Sequence, residues 1–498
     1  MTRKRATCLL LAFGMLSPLA ASESKAPVEA EYYPVTTLPV PPEIVLEVGA
    51  IELLPGDRLA VGTRRGDIYL VDGAMGDDLG AVSYVKFAEG LHEVLGLAWR
   101  DGWLYATIRQ EVVRIRDEDG DDRGDLFESV SDAWGLSGDY HEYAFGSRFD
   151  REGNLWVVLC LTGSFTSEAP YRGWALRVTP DGRAIPSSSG IRSPGGVGFD
   201  CEGEVFYTDN QGPWNGSSSL KHLRPGSFQG HPGGNRWYDR AGEAMGPRPA
   251  EPKSGSRIAA ERVRVPEYIP TAVFLPHARL GQSPTGIACD DTKGKFGPFR
   301  NQLFIGDQTY SNVTRVYLEK INGVYQGAAI PFVEGFQSGL IGVRLTPEGQ
   351  LFVGGSDRGW GARGGKPFNF ERIDWTGRIP FEVLAMRATA DGFEIEFTEP
   401  ADAATAADPA SYRMEAFTYI FRSDYGSPEV DQKEPVVSVA MVSEDGKTVR
   451  LRVEPLTLGH VHGLHLDGVR SPDGRPLLHP EAWYTLNEIP VGEDLNVR

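Results

Sequence analysis

The densest group of chemically capable side chains is the acidic run DEDGDDRGDLFE, residues 117–128. Its carboxylates and one backbone carbonyl fall at positions 1, 3, 5, 7, 9 and 12 of a twelve-residue loop, the ligand positions of an EF-hand-like calcium loop. Position 6, normally glycine, is Asp122. We interpret the run as a calcium loop that staples the periphery of a sheet; a solvated acidic turn is the alternative. The predicted metal ligands are Asp117, Asp119, Asp121, Arg123 through its carbonyl, Asp125 and Glu128.

Polar residues stand directly ahead of several short hydrophobic stretches. His141 precedes one such stretch and Arg192 another. If these stretches converge, two histidines, an arginine, carboxylates and amides would face one polar pocket of the kind that binds small molecules. The alternative is a polar, wet channel without a ligand. The other residues of this set are His92, Glu93, Glu142, Ser193, Gln282, Ser283, Gln337 and Ser338.

A repeat supplies the elements that would position these residues. A hydrophobic strand, an acidic-glycine turn and an aromatic or β-branched strand recur six times, beginning at Val48, Val94, Phe145, Gly195, Thr285 and Ile341. Intervals of roughly 45 to 90 residues suit four-stranded blades with loops of variable length. The short strands, bounded by Gly, Asp and Pro, indicate an all-β chain without helical periodicity. We predict a six-bladed β-propeller over residues 30–378, with the residues ahead of each innermost strand at the mouth of its channel.

Two segments depart from this repeat. Residues 225–281 are rich in Gly, Pro and Arg and form a long insertion, which is typical of a functional cover. Residues 379–498 alternate hydrophobic and polar positions between close turns, which predicts an immunoglobulin-like β-sandwich. His460, His462 and His465 alternate along one of its strands. A metal site is one interpretation of these histidines, and a strand with one polar face is the other.

Composition and the N-terminus limit the partners and the compartment. The 498 residues carry a formal net charge of −18, which disfavours nucleic acid and anionic membranes as partners. Residues 1–22 have the basic start, apolar core and small residues of a signal peptide, so we expect a periplasmic or secreted protein. No later stretch is long enough to span a bilayer. Cys160, Cys201 and Cys289 lack CxxCH spacing, which excludes a c-type haem on this chain. Two of these three cysteines could form a disulfide.

Part of the sequence resembles the soluble glucose/sorbosone dehydrogenase family. The likeness lies in GDYHEYAFGSRFDREGNLWV, IRSPGGVGFDCEGEVFYTDNQGP and LIGVRLTPEGQLFVGG, and it covers the propeller only. The stretches SDRGWGARGGKP and GRPLLHPEAWYTLNEIP look like a planctomycete-type, sorbosone dehydrogenase-like branch. The resemblance implies an exported six-bladed propeller that uses pyrroloquinoline quinone (PQQ) and calcium to oxidise a sugar or aldehyde. An external electron acceptor would then complete the reaction.

The resemblance also implies roles for single residues. His141 matches the family's base, which takes the hydroxyl proton, and Arg192 matches an arginine that stabilises charge at the quinone oxygens. Gln211, Gly212 and Pro213, in DNQGP, match the segment whose backbone carbonyls hold the cofactor's calcium. His141 and Arg192 are therefore the expected catalytic residues, with Arg192 and residues 211–213 binding the cofactor.

The chain departs from the family pattern at three places. The aspartate that orients the histidine would fall within residues 161–163, which are Leu-Thr-Gly. Gln308 stands where a lysine would bind a quinone carboxylate, and residues 339–341 stand where an arginine would. Asp139 or Glu142 could replace the missing aspartate. Two functions therefore stay open: a calcium-containing, PQQ-type sugar or aldehyde dehydrogenase, and a non-catalytic propeller that binds a glycan or protein.

Overall fold

Six sheets, each built on four antiparallel strands, surround a central channel; a short parallel strand extends one of them and four C-terminal strands extend another. The computed structural model describes residues 28–359 and 361–491 of the chain, so the predicted signal peptide lies outside the described residues. The innermost strands of successive sheets pack against one another, and the last packs against the first. The described part of the chain is therefore a closed six-bladed propeller that carries further C-terminal strands.

The blade strands follow one another along the chain, with one exception at the closure. In chain order they are β1 (Val35–Thr37), β2 (Val48–Leu54), β3 (Arg58–Thr63), β4 (Ile68–Asp72), β5 (Ser83–Ala88), β6 (Gly96–Arg100), β7 (Trp103–Thr107), β8 (Val112–Arg116), β9 (Leu126–Ser131), β10 (Ala144–Phe149), β11 (Leu155–Leu159), β12 (Trp174–Val178), β13 (Ala184–Ser189), β14 (Pro194–Phe199), β15 (Val205–Asp209), β16 (Ser219–His222), β17 (Ser227–Phe228), β18 (Val273–Phe274), β19 (Pro284–Cys289), β20 (Leu303–Asp307), β21 (Asn312–Ile321), β22 (Val324–Glu334), β23 (Gly342–Leu345), β24 (Gln350–Ser356) and β25 (Phe368–Asp374).

The remaining elements belong to the insertion, the C-terminal strands and short turns. The C-terminal strands are β26 (Val383–Thr389), β27 (Gly392–Phe397), β28 (Arg413–Thr418), β29 (Val430–Lys433), β30 (Val436–Val442), β31 (Thr448–Glu454), β32 (His460–His465) and β33 (Glu481–Leu486). The α-helices are α1 (Tyr238–Ala241), α2 (Ile258–Arg264) and α3 (Ala403–Ala407). The 3₁₀ turns are Glu29–Glu31, Leu79–Ala81, Pro232–Trp237, Gly242–Met245 and Pro409–Ser411. No helix in the described part of the chain has the length and apolar character needed to cross a bilayer.

Each predicted copy of the repeat forms the inner hairpin of one blade. The hairpins are β2–β3, β6–β7, β10–β11, β14–β15, β19–β20 and β23–β24. Their glycines let the innermost strands approach closely: a Cβ on Gly96 would lie 2.6 Å from the Cα of Gly146 in the next blade. The ring is closed by β1, which pairs antiparallel with β25 and so completes the last blade. Because the N-terminal strand supplies this edge, the last blade depends on both ends of the propeller.

The C-terminal strands form two layers, one of which continues a blade. The strand β33 pairs with the outer edge of β22, and β32, β28 and β29 extend the sheet to eight strands. The second layer has the order β26-β27-β31-β30, and the core between the layers includes Ile330 of β22 with Phe393, Leu451 and Tyr484. The described C-terminal strands therefore share a core with the propeller, because the long β22 has an edge whose backbone groups need partners. An immunoglobulin-like topology for these strands stays a prediction.

The three C-terminal histidines do not form one cluster. In β32, His462 is buried in the core, where its ring centroid lies 5.4 Å from that of Phe393. His465 lies on the other face of the strand, where its ring contacts Trp483. Its Nε2 lies 3.1 Å from the carboxylate of Glu415. Successive residues of a strand point to opposite faces, so His462 and His465, three residues apart, cannot ligate one metal. The metal interpretation of the three histidines is wrong.

A mostly buried histidine links the 3₁₀ turn Glu29–Glu31 to the C-terminal segment. The Nδ1 of His479 lies 2.6 Å from Glu382, and its Nε2 lies 3.1 Å from Glu29. Burial by itself lowers the pKa of His479, but the charge of Glu382 and the hydrogen bonds with Glu29 and Glu382 raise it to about 9. The imidazolium form is therefore favoured by folding.

We expect the stability due to His479 to be fully present below pH 6.5 and to be lost as the pH rises through 9. A pKa raised from 6.5 to about 9 corresponds to about 3 kcal/mol of unfolding free energy. Denaturant unfolding of wild type and His479→Gln at pH 6, 7.5 and 9.5 measures it. The difference between the two proteins should shrink toward high pH. His465→Gln is the matched control and should keep the wild-type pH dependence; a pH-independent difference for His479→Gln would contradict the assignment.

Candidate functional site

A pocket of about 200 Å³ opens at one mouth of the central channel. On the scale of one water per roughly 10–15 Å³, it has room for about 13 to 20 water molecules or for a ring-shaped organic ligand. Its basic side chains are Arg64, His141, Arg192 and His277, and its amides are Asn210, Gln282 and Gln308. Leu95, Phe145 and Ile341 form an apolar floor. Among the described residues that line it, none is acidic, so the pocket suits an anion.

Both expected catalytic residues line this pocket although they precede different blades. His141 comes ahead of β10 and Arg192 ahead of β14. Ser193, Gln282 and Ser283 of the predicted set also line it. His92, Glu93, Glu142, Gln337 and Ser338 do not. The prediction that residues ahead of the innermost strands converge therefore holds for blades three to five.

The loop that carries His141 is shaped by a buried carboxylate. Glu142 is 0 % exposed, and its Oε2 accepts hydrogen bonds from the backbone N–H groups of Ser137, Gly138 and Asp139 at 2.8, 3.2 and 3.3 Å. Arg109 binds the carbonyls of Asp139 and Tyr140 from the other side, at 3.2 and 2.7 Å. Because these bonds occupy its carboxylate, Glu142 is not the group that orients the imidazole.

Asp139 is the carboxylate nearest the imidazole of His141. Its Oδ1 lies 3.9 Å from the His141 Nδ1 and accepts the N–H groups of His141 and Gly163, each at 2.8 Å. A Cβ on Gly163 would come within 2.8 Å of the same Nδ1, so a side chain at this position would displace the ring. Of the two carboxylates considered for orienting the imidazole, Asp139 is therefore the one that lies beside the ring.

The environment of His141 favours its neutral form. Burial lowers the pKa of the imidazole; the negative charge of Asp139 opposes this, while Arg192 and Arg109 lower the pKa further. A neutral imidazole at pH 7 can accept a proton. The site therefore has a base ready to act near neutral pH.

Arg192 has donors that no described residue uses. The residue is 6 % exposed, and its buried Nε has no hydrogen-bond partner in the described part of the chain. The guanidinium carbon lies 4.5 Å from the ring centroid of Phe165 and 5.2 Å from that of Tyr425. An arginine held by aromatic rings with unused N–H groups is suited to bind a carboxylate or another planar anion.

The second arginine of the pocket is already paired. The Nη2 of Arg64 lies 3.1 Å from Glu93, and its Nη1 donates to the carbonyl of Arg358 at 2.7 Å. Arg109 binds the same carboxylate through its Nε at 2.5 Å. Glu93 thus offsets part of the charge of Arg64 and Arg109, whereas Arg192 has no carboxylate partner among the described residues.

Two buried aspartates shape the other loops that enter the pocket. Asp209, at the end of β15, accepts the N–H of Ser193 at 2.8 Å and pairs with Lys221 at 3.1 Å. Asp307, at the end of β20, accepts the N–H groups of Gln282 and Ser283, each at 2.7 Å. Burial raises the pKa of Asp307, and these backbone bonds oppose the rise. Each aspartate ends the second strand of its blade in the sequence, so the repeat carried a signal for both.

The turn at residues 211–213 does not contribute to the pocket as expected. The carbonyl of Gly212 accepts the N–H of Asn215 at 3.1 Å, and the Nε2 of Gln211 donates to Gly216 at 3.2 Å. Gln211, Gly212 and Pro213 are not among the pocket-lining residues, whereas Asn210 is. Gly212 instead packs against the guanidinium of Arg192, where a Cβ would overlap Nε. The turn therefore supports Arg192 and leaves the predicted carbonyl ligands outside the pocket.

The acidic run forms the loop between β8 and β9 at the periphery of the second blade. Ligand oxygens of Asp117, Asp119 and Asp125 lie within 4.8 Å of one another. Asp122 has a φ of 66°, the left-handed conformation for which glycine is preferred, and Arg58 binds its carboxylate at 2.5 Å. An aspartate thus makes the sharp bend that glycine makes in an EF-hand-like loop, and three of the predicted ligands converge.

Two of the predicted side-chain ligands do not join this cluster. Glu128 lies in β9 directly opposite Arg114, which binds its carboxylate at 2.7 Å through Nε. The Oδ1 of Asp121 accepts the N–H of Arg123 at 3.0 Å. An EF-hand loop is followed by a helix that brings its last glutamate back to the ion, whereas a strand begins here at Leu126. Glu128 and Asp121 therefore stay predicted ligands that lie outside the cluster of Asp117, Asp119 and Asp125.

Four of the residues that line the pocket were not predicted from the sequence. Tyr143 and Asn210 stand beside predicted residues and could have been found from the repeat. Phe165 lies in the loop after β11, and Tyr425 comes from the C-terminal strands. These last two contact Arg192 only because of the tertiary fold.

Comparisons with solved structures return sugar dehydrogenases of low similarity. A putative glucose dehydrogenase from Thermus thermophilus is 21% identical, over 68% of this chain and 99% of that one, with a TM-score of 0.48. The PQQ-bound aldose sugar dehydrogenase of Streptomyces coelicolor is 18% identical, over 69% and 98%, with a TM-score of 0.48. The PQQ domain of Coprinopsis cinerea pyranose dehydrogenase is 13% identical, over 70% and 98%, also with a TM-score of 0.48. No family model and no curated protein matches the chain.

Proposed function

We propose that this protein is a sugar-dehydrogenase-like propeller that binds an anionic cofactor of the PQQ type and oxidises a small sugar or aldehyde. The observation that carries the proposal is the pocket in which His141 and Arg192 meet with no acidic neighbour among the described lining residues. The resemblance of the sequence around both residues to the glucose/sorbosone dehydrogenase family points to the same activity. The planctomycete-type branch remains part of this proposal.

The residues present fit an anionic, planar group. Arg192 offers the Nη groups of its guanidinium, since its buried Nε faces Gly212, and Asn210 and Gln282 add amide groups. These residues would hold PQQ, which when bound supplies the two-electron oxidising chemistry. His141 would take the hydroxyl proton of the substrate, and Asp139 would orient its ring from the side of Nδ1. The apolar floor would limit water at the reacting carbon.

Reconstitution of the purified protein with PQQ and Ca²⁺ tests the proposal. Loaded protein should show a bound quinone by absorbance and should reduce an artificial electron-accepting dye when given aldoses or aldehydes. Protein given Ca²⁺ alone is the control and should reduce no dye. Absence of both bound quinone and dye reduction would reject the dehydrogenase assignment.

A second candidate function is a non-catalytic module that binds a glycan or a protein. It is favoured by the pairing of Arg64 with Glu93, because Arg192 is then the one arginine of the described pocket lining without a carboxylate partner. PQQ carries three carboxylates, and a single arginine would bind them weakly. A glycan array probed with the protein distinguishes the two candidates, because only the binding module should retain glycans without quinone.

We also propose that the acidic loop binds a structural calcium ion through Asp117, Asp119 and Asp125. The convergence of these carboxylates supports it, since hard, charged oxygen ligands suit Ca²⁺. Calcium at a concentration well above its Kd should raise Tm by about 1 °C for each kcal/mol of binding energy in a protein of this size. Asp119→Asn should abolish this shift, whereas the matched control Asp121→Asn should keep it. Equal shifts in both variants, or none in wild type, would remove the ion from the loop.

The protein is proposed to be periplasmic or secreted. The predicted signal peptide supports this, and so does the disulfide between Cys201 and Cys289, which links the fourth and fifth blades. Disulfides persist in oxidising compartments and are rare in the cytosol. Cell fractionation of the full-length protein is the direct test.

A further inference from the structure

One loop of the C-terminal strands lies at the mouth of the pocket. This loop, residues 419–429, connects β28 with β29, and Tyr425 lines the pocket that the blades form. Its ring lies 5.2 Å from the Arg192 guanidinium and 6.1 Å from the ring of Phe165. Arg192 is therefore flanked by one aromatic ring from the propeller and one from the C-terminal strands. We call this loop the C-terminal loop.

Hydrogen bonds hold the C-terminal loop on the propeller. Trp214 donates its N–H to the carbonyl of Arg422 at 2.7 Å, and Ser427 donates its N–H to Gly216 at 3.0 Å. Gly216 has no room for a side chain, because a Cβ would lie 2.8 Å from Tyr419. The loop thus packs directly on the turn that supports Arg192.

The long insertion fixes the C-terminal loop from a second side. Gly255 donates its N–H to the carbonyl of Phe421 at 2.7 Å, and Phe421 donates to Ser256 at 3.0 Å. Arg257 forms a two-pronged ion pair with Asp431, at 2.5 and 2.7 Å. Blade, insertion and C-terminal strands therefore place the ring of Tyr425 together.

The backbone of Phe165, whose ring flanks Arg192, is strained. Its φ of 57° lies in the left-handed region, which costs a bulky residue on the order of 1–3 kcal/mol. Tyr425, by contrast, is 59 % exposed, so most of its ring is available to a ligand. A strained backbone at Phe165 and an exposed ring at Tyr425 are features of a binding site more than of a packed core.

We propose that Tyr425 contacts the ligand directly and that the C-terminal loop thereby determines which anions the pocket accepts. Its ring would select ligands whose flat face, or sugar C–H face, stacks on it while their acidic group binds the unused donors of Arg192. The expected class is a ring-shaped anion: a planar heteroaromatic acid or a sugar acid. The inference rests on the proposed function only in taking the pocket as the binding site.

Calorimetric titration of the full-length protein tests the inference with two probes, PQQ with Ca²⁺ and D-glucuronate. Tyr425→Ala should weaken binding of the probe about five- to tenfold, since aromatic stacking contributes up to about 1.5 kcal/mol. Tyr425→Leu, which keeps bulk without a ring, should show the same loss. Tyr425→Phe should bind within about twofold of wild type. Val436→Ala, equally exposed in the same C-terminal strands, is the control and should bind as wild type.

The outcomes separate this inference from the proposed cofactor. If wild type binds glucuronate but not PQQ, and Tyr425→Ala weakens glucuronate, the cofactor proposal fails and the role of Tyr425 stands. If Tyr425→Ala and Tyr425→Leu bind both probes as wild type does, the inference is overturned. It is also overturned if wild type binds neither probe. Thermal melting of all variants checks that a loss of binding is not caused by a loss of folding.

Discussion

Replacing His141 with alanine should lower kcat/KM for dye-linked sugar oxidation by roughly 10²- to 10⁴-fold, the usual contribution of a general base. The imidazole is expected to take the hydroxyl proton, and no described carboxylate lines the pocket to replace it. PQQ binding to the variant should change little, because Arg192 is unaltered. Initial rates on PQQ-loaded protein, with quinone content measured separately, give the result. Retention of more than a tenth of wild-type kcat/KM would remove the assigned role.

The pH profile distinguishes a base from a merely structural histidine. Since the pKa of His141 is lowered, activity should persist below pH 6.5 and fall only as the pH drops through that lowered value. Asp139 raises the pKa by its charge, so Asp139→Asn should move the acid limb to still lower pH. Asp121→Asn, on the acidic loop, is the matched control and should leave the limb in place. An unmoved limb in Asp139→Asn would mean that Asp139 does not act through the imidazole.

Replacing Arg192 with alanine should weaken PQQ binding at least about thirtyfold. A hydrogen bond to a charged group contributes about 1.5–3 kcal/mol, and about 2 kcal/mol corresponds to this factor. Because no described residue accepts a hydrogen bond from its guanidinium Nε, the variant breaks no such bond there. We therefore expect a large change in Kd with a small change in Tm, measured by calorimetry and thermal melting.

Arg192→Lys separates charge from geometry at this position. A lysine keeps the positive charge but cannot present two parallel N–H groups to a carboxylate. Its Kd should therefore lie between those of wild type and Arg192→Ala. The affinity of wild type should also fall little with added salt, because a buried pair is weakly screened. A Kd for Arg192→Ala equal to that of wild type would place the anion elsewhere.

The repeat allowed the inner hairpins and the mouth of the channel to be predicted from sequence. Strand periodicity and turn residues are local, so six copies of one pattern define six blades and the residues that precede them. His141 and Arg192 were found in this way. For the partner of His141 the sequence left two candidates, Asp139 and Glu142, and only the position of the Asp139 Oδ1, 3.9 Å from Nδ1, distinguishes them.

In the acidic loop, motif spacing predicted some of the residues that converge but not the direction of the last one. Ligand types at fixed spacing predicted Asp117, Asp119 and Asp125, which converge. The same spacing predicted Glu128, which β9 turns toward Arg114. A motif specifies ligands only together with the element that follows it, and here that element is a strand.

The sequence by itself determined the all-β class, the six blades, the meeting of His141 with Arg192 and the acidic loop. Only the tertiary structure decided that β33 joins the edge of β22, that residues 211–213 lie outside the pocket and that Tyr425 borders Arg192. The physical reason is the range of the forces concerned. Periodicity and turns act between neighbours in the chain, whereas pairing at a strand edge and contact across a pocket depend on surfaces that exist only after the blades have formed.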